Sequence, residues 1–157
     1  MLNTHSNGTV IGFDVVQELP PYAAEKIRAV ITAGSPIRKY IDLFEWGNRV
    51  ALVPLLERWW NFYDAKDIVA DPLLPDASWI RGMEPTADQL VGIYQAYDPY
   101  KGEIIPMQIE DILIHIVPNS PPGALQAHDY WDNTAEFIPK VAELLRDVLA
   151  EDNPEVR

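Results

Sequence analysis

The sequence contains no cysteine, which excludes disulfide bonds, thiol catalysis and cysteine-ligated metal sites. It also contains no apolar run long enough to cross a bilayer, so we expect no transmembrane segment. No positively charged leader with a following apolar run opens the chain, so no secretion signal is predicted. Together these features fit a cytoplasmic protein. The histidines and carboxylates show no metal-ligand spacing, and neither a metal nor another cofactor is implied.

Basic residues are scarce, with 12 lysines and arginines against 24 aspartates and glutamates, which gives a net charge of -12. Affinity for nucleic acid depends mainly on basic side chains that neutralise phosphates, so we expect no nucleic-acid partner. Anionic membrane surfaces are disfavoured for the same reason. The balance indicates an acidic, well-solvated surface.

The chain is long and apolar enough, at 157 residues and 48% hydrophobic, to bury one core. Its composition is even, and no repeat or linker divides it, so we predict a single domain over residues 1–157. The 14 prolines punctuate the chain into short elements.

Apolar patterning predicts alternating helices and strands. The predicted elements are a buried helix over Thr9–Leu19, a strand over Ala29–Ala33 closed by Gly34-Ser35-Pro36, a partly helical segment 37–57, an aromatic strand over Arg58–Tyr63, an irregular segment 71–105 and a strand over Ile109–Val117. Alternation of this kind is typical of an α/β fold with a mainly parallel sheet and flanking helices.

The last element is predicted to be an amphipathic helix. Asn133 lies three residues before Glu136, which is a plausible N-cap arrangement. Apolar residues then recur at helical spacing, at Val141, Leu144, Leu145 and Val148.

Ser6 lies in the run Thr4-His5-Ser6-Asn7-Gly8-Thr9, which leads directly into the first predicted helix. A serine followed two positions later by glycine at a helix start is the second half of a nucleophile elbow. In such a turn the chain passes sharply from strand to helix, and the strained backbone pushes the hydroxyl outward. Thr4 replaces the first glycine of the G-x-S-x-G pattern, so the match is partial.

Four runs in order extend this match: HSNGTVIGFDVV, VITAGSP, WWNFYDAKDIVADPLL and AHDYW. Together they resemble the second half of an intracellular lipase/esterase-type α/β-hydrolase. In that family a serine elbow is followed by a helix, a strand ending in a Gly-Ser-Pro turn, a strand that delivers an acid, a loop with a histidine and a final helix. Only residues 71–105 match nothing in the family.

The resemblance implies a catalytic triad of Ser6, Asp67 and His128. Ser6 would be the nucleophile and His128 its general base, while the carboxylate would fix the imidazole tautomer. Asp67 is favoured as the acid because it precedes the short apolar segment 68–70, whereas Asp64 directly follows the strand and suits a turn. The backbone N–H of Asn7 would be one donor of the oxyanion hole.

Each of these residues also has a structural interpretation. Taken alone, Ser6 would be a loop or helix-cap residue, Asp67 a turn residue and His128 a surface histidine. His5 is interpreted as structural, and His115 as a packed or edge histidine of its strand. The pair Trp59-Trp60 is expected to pack in the core.

The resemblance also implies that the front of the family's fold is missing from this sequence. Only Met1-Leu2-Asn3 precede Thr4-His5-Ser6, too few for a full-length strand. The second oxyanion donor would come from an earlier loop, so slow hydrolysis is expected. We expect an exposed apolar sheet edge, covered by self-association or by a complementing N-terminal fragment.

Two functions therefore remain open. The first is hydrolysis of a small ester or lipid-like substrate through an acyl-enzyme on Ser6. The second is a non-catalytic remnant or interaction domain derived from a truncated or split hydrolase. A weaker third possibility is a small acidic binding protein without hydrolase ancestry, for which Ser6, Asp67 and His128 would lie far apart.

Overall fold

The computed structural model describes residues 1–43, 51–54, 58–74, 94–98, 100–116 and 125–152. The elements are β1 (Leu2–His5), α1 (Asn7–Glu18), α2 (Pro21–Ala24), β2 (Ala29–Ala33), α3 (Ile37–Leu43), β3 (Ala51–Pro54), β4 (Arg58–Tyr63), β5 (Tyr94–Asp98), β6 (Glu103–Pro106), β7 (Gln108–Leu113) and α4 (Phe137–Asp152). Two short 3₁₀ turns, Leu125–His128 and Tyr130–Asp132, precede α4.

The main sheet has four strands in the order β1-β2-β4-β7, and every neighbouring pair is parallel. This sheet, with its helices, confirms the predicted α/β class with a mainly parallel sheet. All five residues of β2 are buried, as expected for an apolar strand that is covered on both faces. Because the strands are parallel, their carboxyl ends lie at one edge of the sheet.

Helices cover both faces of this sheet, and alternate side chains of each strand contact different helices. On one face, Phe13 of α1 lies 5.5 Å from Trp59, centroid to centroid. On the other face, Phe137 of α4 lies 5.0 Å from Phe62. Trp59 and Trp60 are both buried, as predicted, and they point to opposite faces.

Helix α1 begins two residues earlier than predicted and is only half-buried. Thr9, Val10, Phe13 and Val16 face the sheet, whereas Ile11 and Val15 are 64% and 50% exposed. The prediction of a helix buried all round was therefore wrong for this chain. Its apolar positions form two stripes, and the sheet covers one of them.

Strand β1 leads into the serine turn although only three residues precede Thr4. It does so by including Thr4 and His5, and its four residues lie at the short end of usual strand lengths. Among the described strands β1 pairs only with β2, so it forms an edge of the sheet.

A second sheet, of order β3-β5-β6, was not predicted. Strand β3 lies in the segment expected to be partly helical, where α3 is the helical part. Strands β5 and β6 lie in the segment expected to be irregular, and they form an antiparallel pair. Residues 75–93 of that segment lie outside the described residues. Short strands between prolines and polar turns give little periodicity from which to predict them.

The end of the chain folds largely as predicted. Strand β7 ends at Leu113, four residues before the predicted boundary at Val117, which lies outside the described residues. Asn133 accepts hydrogen bonds from the backbone N–H groups of Glu136 and Phe137 through Oδ1, at 2.6 and 3.1 Å. The predicted cap of the final helix is thus confirmed. No helix in the described part of the chain is long and apolar enough to cross a membrane.

Candidate active site

The three residues of the predicted triad follow three strands of the parallel sheet. Ser6 comes directly after β1, Asp67 lies in the turn after β4, and His128 lies in the loop between β7 and α4. Because β1, β4 and β7 run in the same direction, these positions share the carboxyl edge of the sheet. Ligands of open α/β sheets bind at this edge.

Ser6 has a strained backbone at the junction of β1 and α1. Its dihedral angles are φ 56° and ψ -137°, and it has the only positive φ of any non-glycine residue in the described segments. Such a conformation costs on the order of 1–3 kcal/mol and persists only where the surroundings enforce it. This is the geometry that a nucleophile elbow requires.

Hydrogen bonds tie the Ser6 turn to the end of β2. The Ser6 N–H donates to the carbonyl of Ala33 at 3.0 Å. The Thr9 hydroxyl donates to the Ser6 carbonyl at 2.7 Å and lies 2.9 Å from the buried hydroxyl of Ser35. These bonds hold the strained turn against the predicted Gly-Ser-Pro turn.

Thr4 stands where the elbow pattern has its first glycine, and Gly12 of α1 makes room for it. A Cβ atom added to Gly12 would lie 2.7 Å from the Thr4 Cγ2 methyl. The small residue is thus on the helix rather than on the strand. By contrast, a Cβ on Gly8, the second glycine of the pattern, would meet no described atom within 4 Å apart from its chain neighbours and its own helix backbone.

Asp67 and His128 are joined by a hydrogen bond. The His128 Nδ1 atom lies 2.7 Å from Asp67 Oδ2, and the Asp67 side chain is almost fully buried. Asp67 Oδ1 accepts a bond from the Val69 N–H at 2.8 Å, which fixes the carboxylate within its own turn. Since an ionised carboxylate can only accept, the hydrogen lies on Nδ1 in the neutral imidazole, and Nε2 is left as an acceptor.

Asp64, the alternative acid, forms hydrogen bonds with backbone N–H groups rather than with His128. Its carboxylate accepts hydrogen bonds from the N–H groups of Lys66 and Ile116, both at 2.8 Å. Its own carbonyl accepts a bond from the Asp67 N–H at 3.0 Å. Asp64 therefore shapes the turn that presents Asp67, and it ties this turn to the chain after β7.

Gly34 provides the space in which the His128 ring lies. Its φ is +60°, and an added Cβ would lie 2.6 Å from Cε1 and 2.9 Å from Nδ1 of His128. Gly34 follows Ala33, whose carbonyl binds the Ser6 N–H. The end of β2 thus touches both the serine turn and the imidazole.

His5 connects these two parts of the site from the other side. Its Nε2–H donates to the His128 carbonyl at 3.0 Å, and the two imidazole centroids lie 4.7 Å apart. Burial lowers the pKa of His5, and the neighbouring His128 contributes in the same direction, although the bond to the His128 carbonyl opposes them. His5 therefore has a structural contact, as predicted, but one made directly to His128.

The His128 Nε2 atom is buried and has no hydrogen-bond partner within the part of the chain that the structure describes, so the Ser6 hydroxyl is not hydrogen bonded to it. It is the remaining proton-accepting atom of a ring held on one side by Asp67. The Asn7 N–H lies in the first turn of α1, where N–H groups have no intrahelical acceptor and the helix dipole favours negative charge. An imidazole, a serine hydroxyl and an N–H of the first turn of α1 thus occur at one edge of the sheet.

His115 does not join this group. It follows β7 with its side chain 58% exposed, and its Nδ1 lies 3.5 Å from Glu136. The prediction of a packed histidine was wrong, because His115 lies two residues beyond the end of β7 and its side chain is exposed. In the described segments no cluster of three or more histidine or acidic side chains could hold a metal ion.

Sequence reasoning assigned no role to Tyr130 and recognised Gly34 only as part of a turn. Tyr130 is completely buried, and its hydroxyl donates to Asp67 Oδ2 at 3.0 Å. The signal for Tyr130 was its position two residues after His128 in the run AHDYW. The signal for Gly34 was a glycine at the end of a buried strand.

Known proteins provide no further guide to this site. No protein-family profile, curated protein sequence or solved structure matches the chain.

Proposed function

We propose that this protein is a serine hydrolase that cleaves a small ester or lipid-like acyl bond through an acyl-enzyme on Ser6. The observation that carries the proposal is the His128 ring, held by Asp67 at 2.7 Å with its Nε2 atom unpartnered among the described residues. The strained turn of Ser6 lies at the same edge of the sheet. Support comes from the geometry and from the resemblance to intracellular lipase/esterase-type α/β-hydrolases.

The proposed reaction has two steps. In the first, Ser6 Oγ attacks the acyl carbon while His128 Nε2 takes the hydroxyl proton, and the same nitrogen then protonates the departing alcohol. In the second, water attacks the acyl-enzyme with His128 again as the base, and Ser6 is released. Asp67 stabilises the imidazolium that forms in each step and keeps the ring in its reactive tautomer.

The negative oxygen of the tetrahedral intermediate needs a donor, and we assign the Asn7 N–H to this role. It directly follows the nucleophile and belongs to the first turn of α1. Loss of one oxyanion donor typically slows acyl transfer by on the order of 10²–10³. An irreversible probe detects slow acylation better than a turnover assay, and it is therefore the preferred test.

A second candidate is a non-catalytic interaction domain. The exposed side chains of Ile11 and Val15 on α1 favour it, as does the position of β1 at an edge of the sheet among the described strands. Open strand edges and apolar stripes of this kind are surfaces that another chain can cover. The two candidates differ in whether Ser6 reacts.

The test is labelling of the whole chain with a fluorophosphonate probe, followed by hydrolysis of a short p-nitrophenyl ester. We expect labelling of the native chain and complete loss of labelling in Ser6→Ala. His128→Gln should slow labelling by at least roughly 10³-fold, because the serine then has no base. Ser120→Ala removes a serine that the proposal does not use, and it should label normally.

Folding of each variant is checked by circular dichroism. A folded native chain that shows no Ser6-dependent labelling would refute the hydrolase and support the interaction domain. Labelling that survives in His128→Gln would refute the assignment of the base while leaving Ser6 as a nucleophile.

A further inference from the structure

We propose that Tyr130 is a positioning residue of the site, whose hydroxyl sets the strength of the bond between Asp67 and His128. This inference rests on the proposed hydrolase function. The Tyr130 hydroxyl bonds to the Asp67 carboxylate and to the Asp64 N–H, so its effect would pass through the carboxylate.

The Tyr130 hydroxyl lies between the two aspartates of the turn. It donates to Asp67 Oδ2 at 3.0 Å, and it accepts a hydrogen bond from the Asp64 N–H at 3.0 Å. Asp67 Oδ2 is the same oxygen that lies 2.7 Å from His128 Nδ1. One carboxylate oxygen therefore receives two donors, one from the tyrosine and one from the base.

The tyrosine ring is fixed by its neighbours, so the hydroxyl is directed at Asp67. The ring is fully buried and lies edge-on to Phe137, 5.8 Å away, and to His128, 6.0 Å away. A Cβ on Gly34 would approach the Tyr130 Cε2 atom to 2.9 Å. The Tyr130 oxygen accepts the hydrogen bond from the Asp64 N–H. The hydroxyl hydrogen of Tyr130 is therefore free to bond to Asp67.

Tyr130 is a protonated hydroxyl, and therefore a donor, at neutral pH. Burial raises the pKa of its hydroxyl, and the nearby charge of Asp67 raises it further. A protonated hydroxyl bound to a carboxylate shares part of the negative charge. The carboxylate then attracts the imidazolium less strongly than it would alone.

Removal of the hydroxyl should therefore favour the protonated form of His128. Among the described residues, the other titratable groups that face this ring are Asp67 and His5, and Asp129 is its neighbour along the chain. None of these is altered in Tyr130→Phe. His128 should then lose its proton at a higher pH. The acidic limb of the profile of rate against pH should therefore move to higher pH as well.

The first experiment measures the rate of fluorophosphonate labelling against pH for the native chain and for Tyr130→Phe. We expect the midpoint of the acidic limb to rise by about one pH unit, which makes labelling about tenfold slower on that limb and leaves the alkaline plateau unchanged. A lower plateau with an unmoved midpoint would overturn the proposal, since it indicates structural damage alone. Tyr22→Phe, at a tyrosine that is 68% exposed, is the matched control.

The second experiment needs no reaction at Ser6, so it separates this inference from the proposed function. Titration of the three histidines by NMR, assigned with His115→Gln and His128→Gln, should show the same upward movement of the His128 midpoint in Tyr130→Phe. A fluorotyrosine at position 130 keeps the ring and donates more strongly, so it should move the midpoint down. An unmoved midpoint in both chains would overturn the proposal even where Ser6 labels normally.

Discussion

At the scale of single residues, the site depends on two backbone conformations that side chains rarely adopt. Ser6 has a φ of 56° and Gly34 a φ of 60°, and the hydrogen bond from the Ser6 N–H to Ala33 brings these two residues next to each other. In the proposed mechanism Ser6 needs its hydroxyl, so a residue with a side chain bears the strain. Gly34 must lack one, because the His128 ring occupies that space.

Gly34→Ala should therefore damage the site selectively. The left-handed backbone costs a residue with a Cβ about 1–2 kcal/mol. In addition, the methyl group would lie 2.6 Å from Cε1 of His128 and would push the ring away from Asp67. We expect a moderately destabilised chain whose Ser6 labelling falls by at least tenfold, as measured by urea unfolding and by the fluorophosphonate probe.

Gly8→Ala is the matched control for this change. Apart from its chain neighbours and its own helix backbone, the new methyl group would meet no described atom within 4 Å. The alanine would replace a glycine within helix α1, where alanine has the higher helix propensity. The free energy of unfolding should stay the same or rise by up to about 1 kcal/mol. Equal losses of labelling in both variants would show that the His128 contact is not the cause.

At the scale of elements, the cap of α4 holds the histidine loop in place. Asn133 lies five residues after His128, and its amide makes contacts in two directions. Oδ1 accepts from the first N–H groups of the helix, while Nδ2 donates to the His115 carbonyl at 3.0 Å. One buried side chain thus joins the end of β7 to the start of α4.

Asn133→Ala should lower the free energy of unfolding by about 2 kcal/mol, because the cap is lost and the His115 carbonyl loses its donor. Urea unfolding measures this change. Asn133→Ser restores a capping oxygen without the amide donor, so it should recover part of the loss. A serine variant as unstable as the alanine variant would assign the stability to the His115 bond rather than to the cap.

At the scale of the whole molecule, the net charge of -12 opposes the compact state. Repulsion among surface carboxylates destabilises folding and is screened by salt, whereas isolated surface ion pairs such as Arg58–Glu151 contribute little. The free energy of unfolding at neutral pH should therefore rise between low and high sodium chloride. Urea unfolding at the two salt concentrations measures it.

The control for the salt effect is the same comparison near the isoelectric point of about 4.5, where the net charge vanishes. The stabilisation by salt should be much smaller there. A chain that loses stability with salt at neutral pH would show that local ion pairs outweigh the overall repulsion.

Much of the main sheet could be predicted, because its elements have strong local patterns. The apolar run of β2, the aromatic run of β4 and the capped, amphipathic α4 each depend on neighbouring residues along the chain. The second sheet could not be predicted in this way. Its strands β3 and β5 are far apart in sequence, and their pairing depends on tertiary contacts.

The sequence alone determined the acidic character and the α/β class, since these follow from composition and periodicity, whereas the residues of the candidate site were predicted from the resemblance to α/β-hydrolases. Only the tertiary structure decided which aspartate reaches His128. Asp64 and Asp67 lie in one turn, but the Asp67 side chain bonds to His128 whereas the Asp64 side chain bonds to backbone N–H groups. It also decided that Gly34 and Tyr130 border the imidazole and that one stripe of α1 is exposed. These are contacts between residues distant in sequence, and no local pattern encodes them.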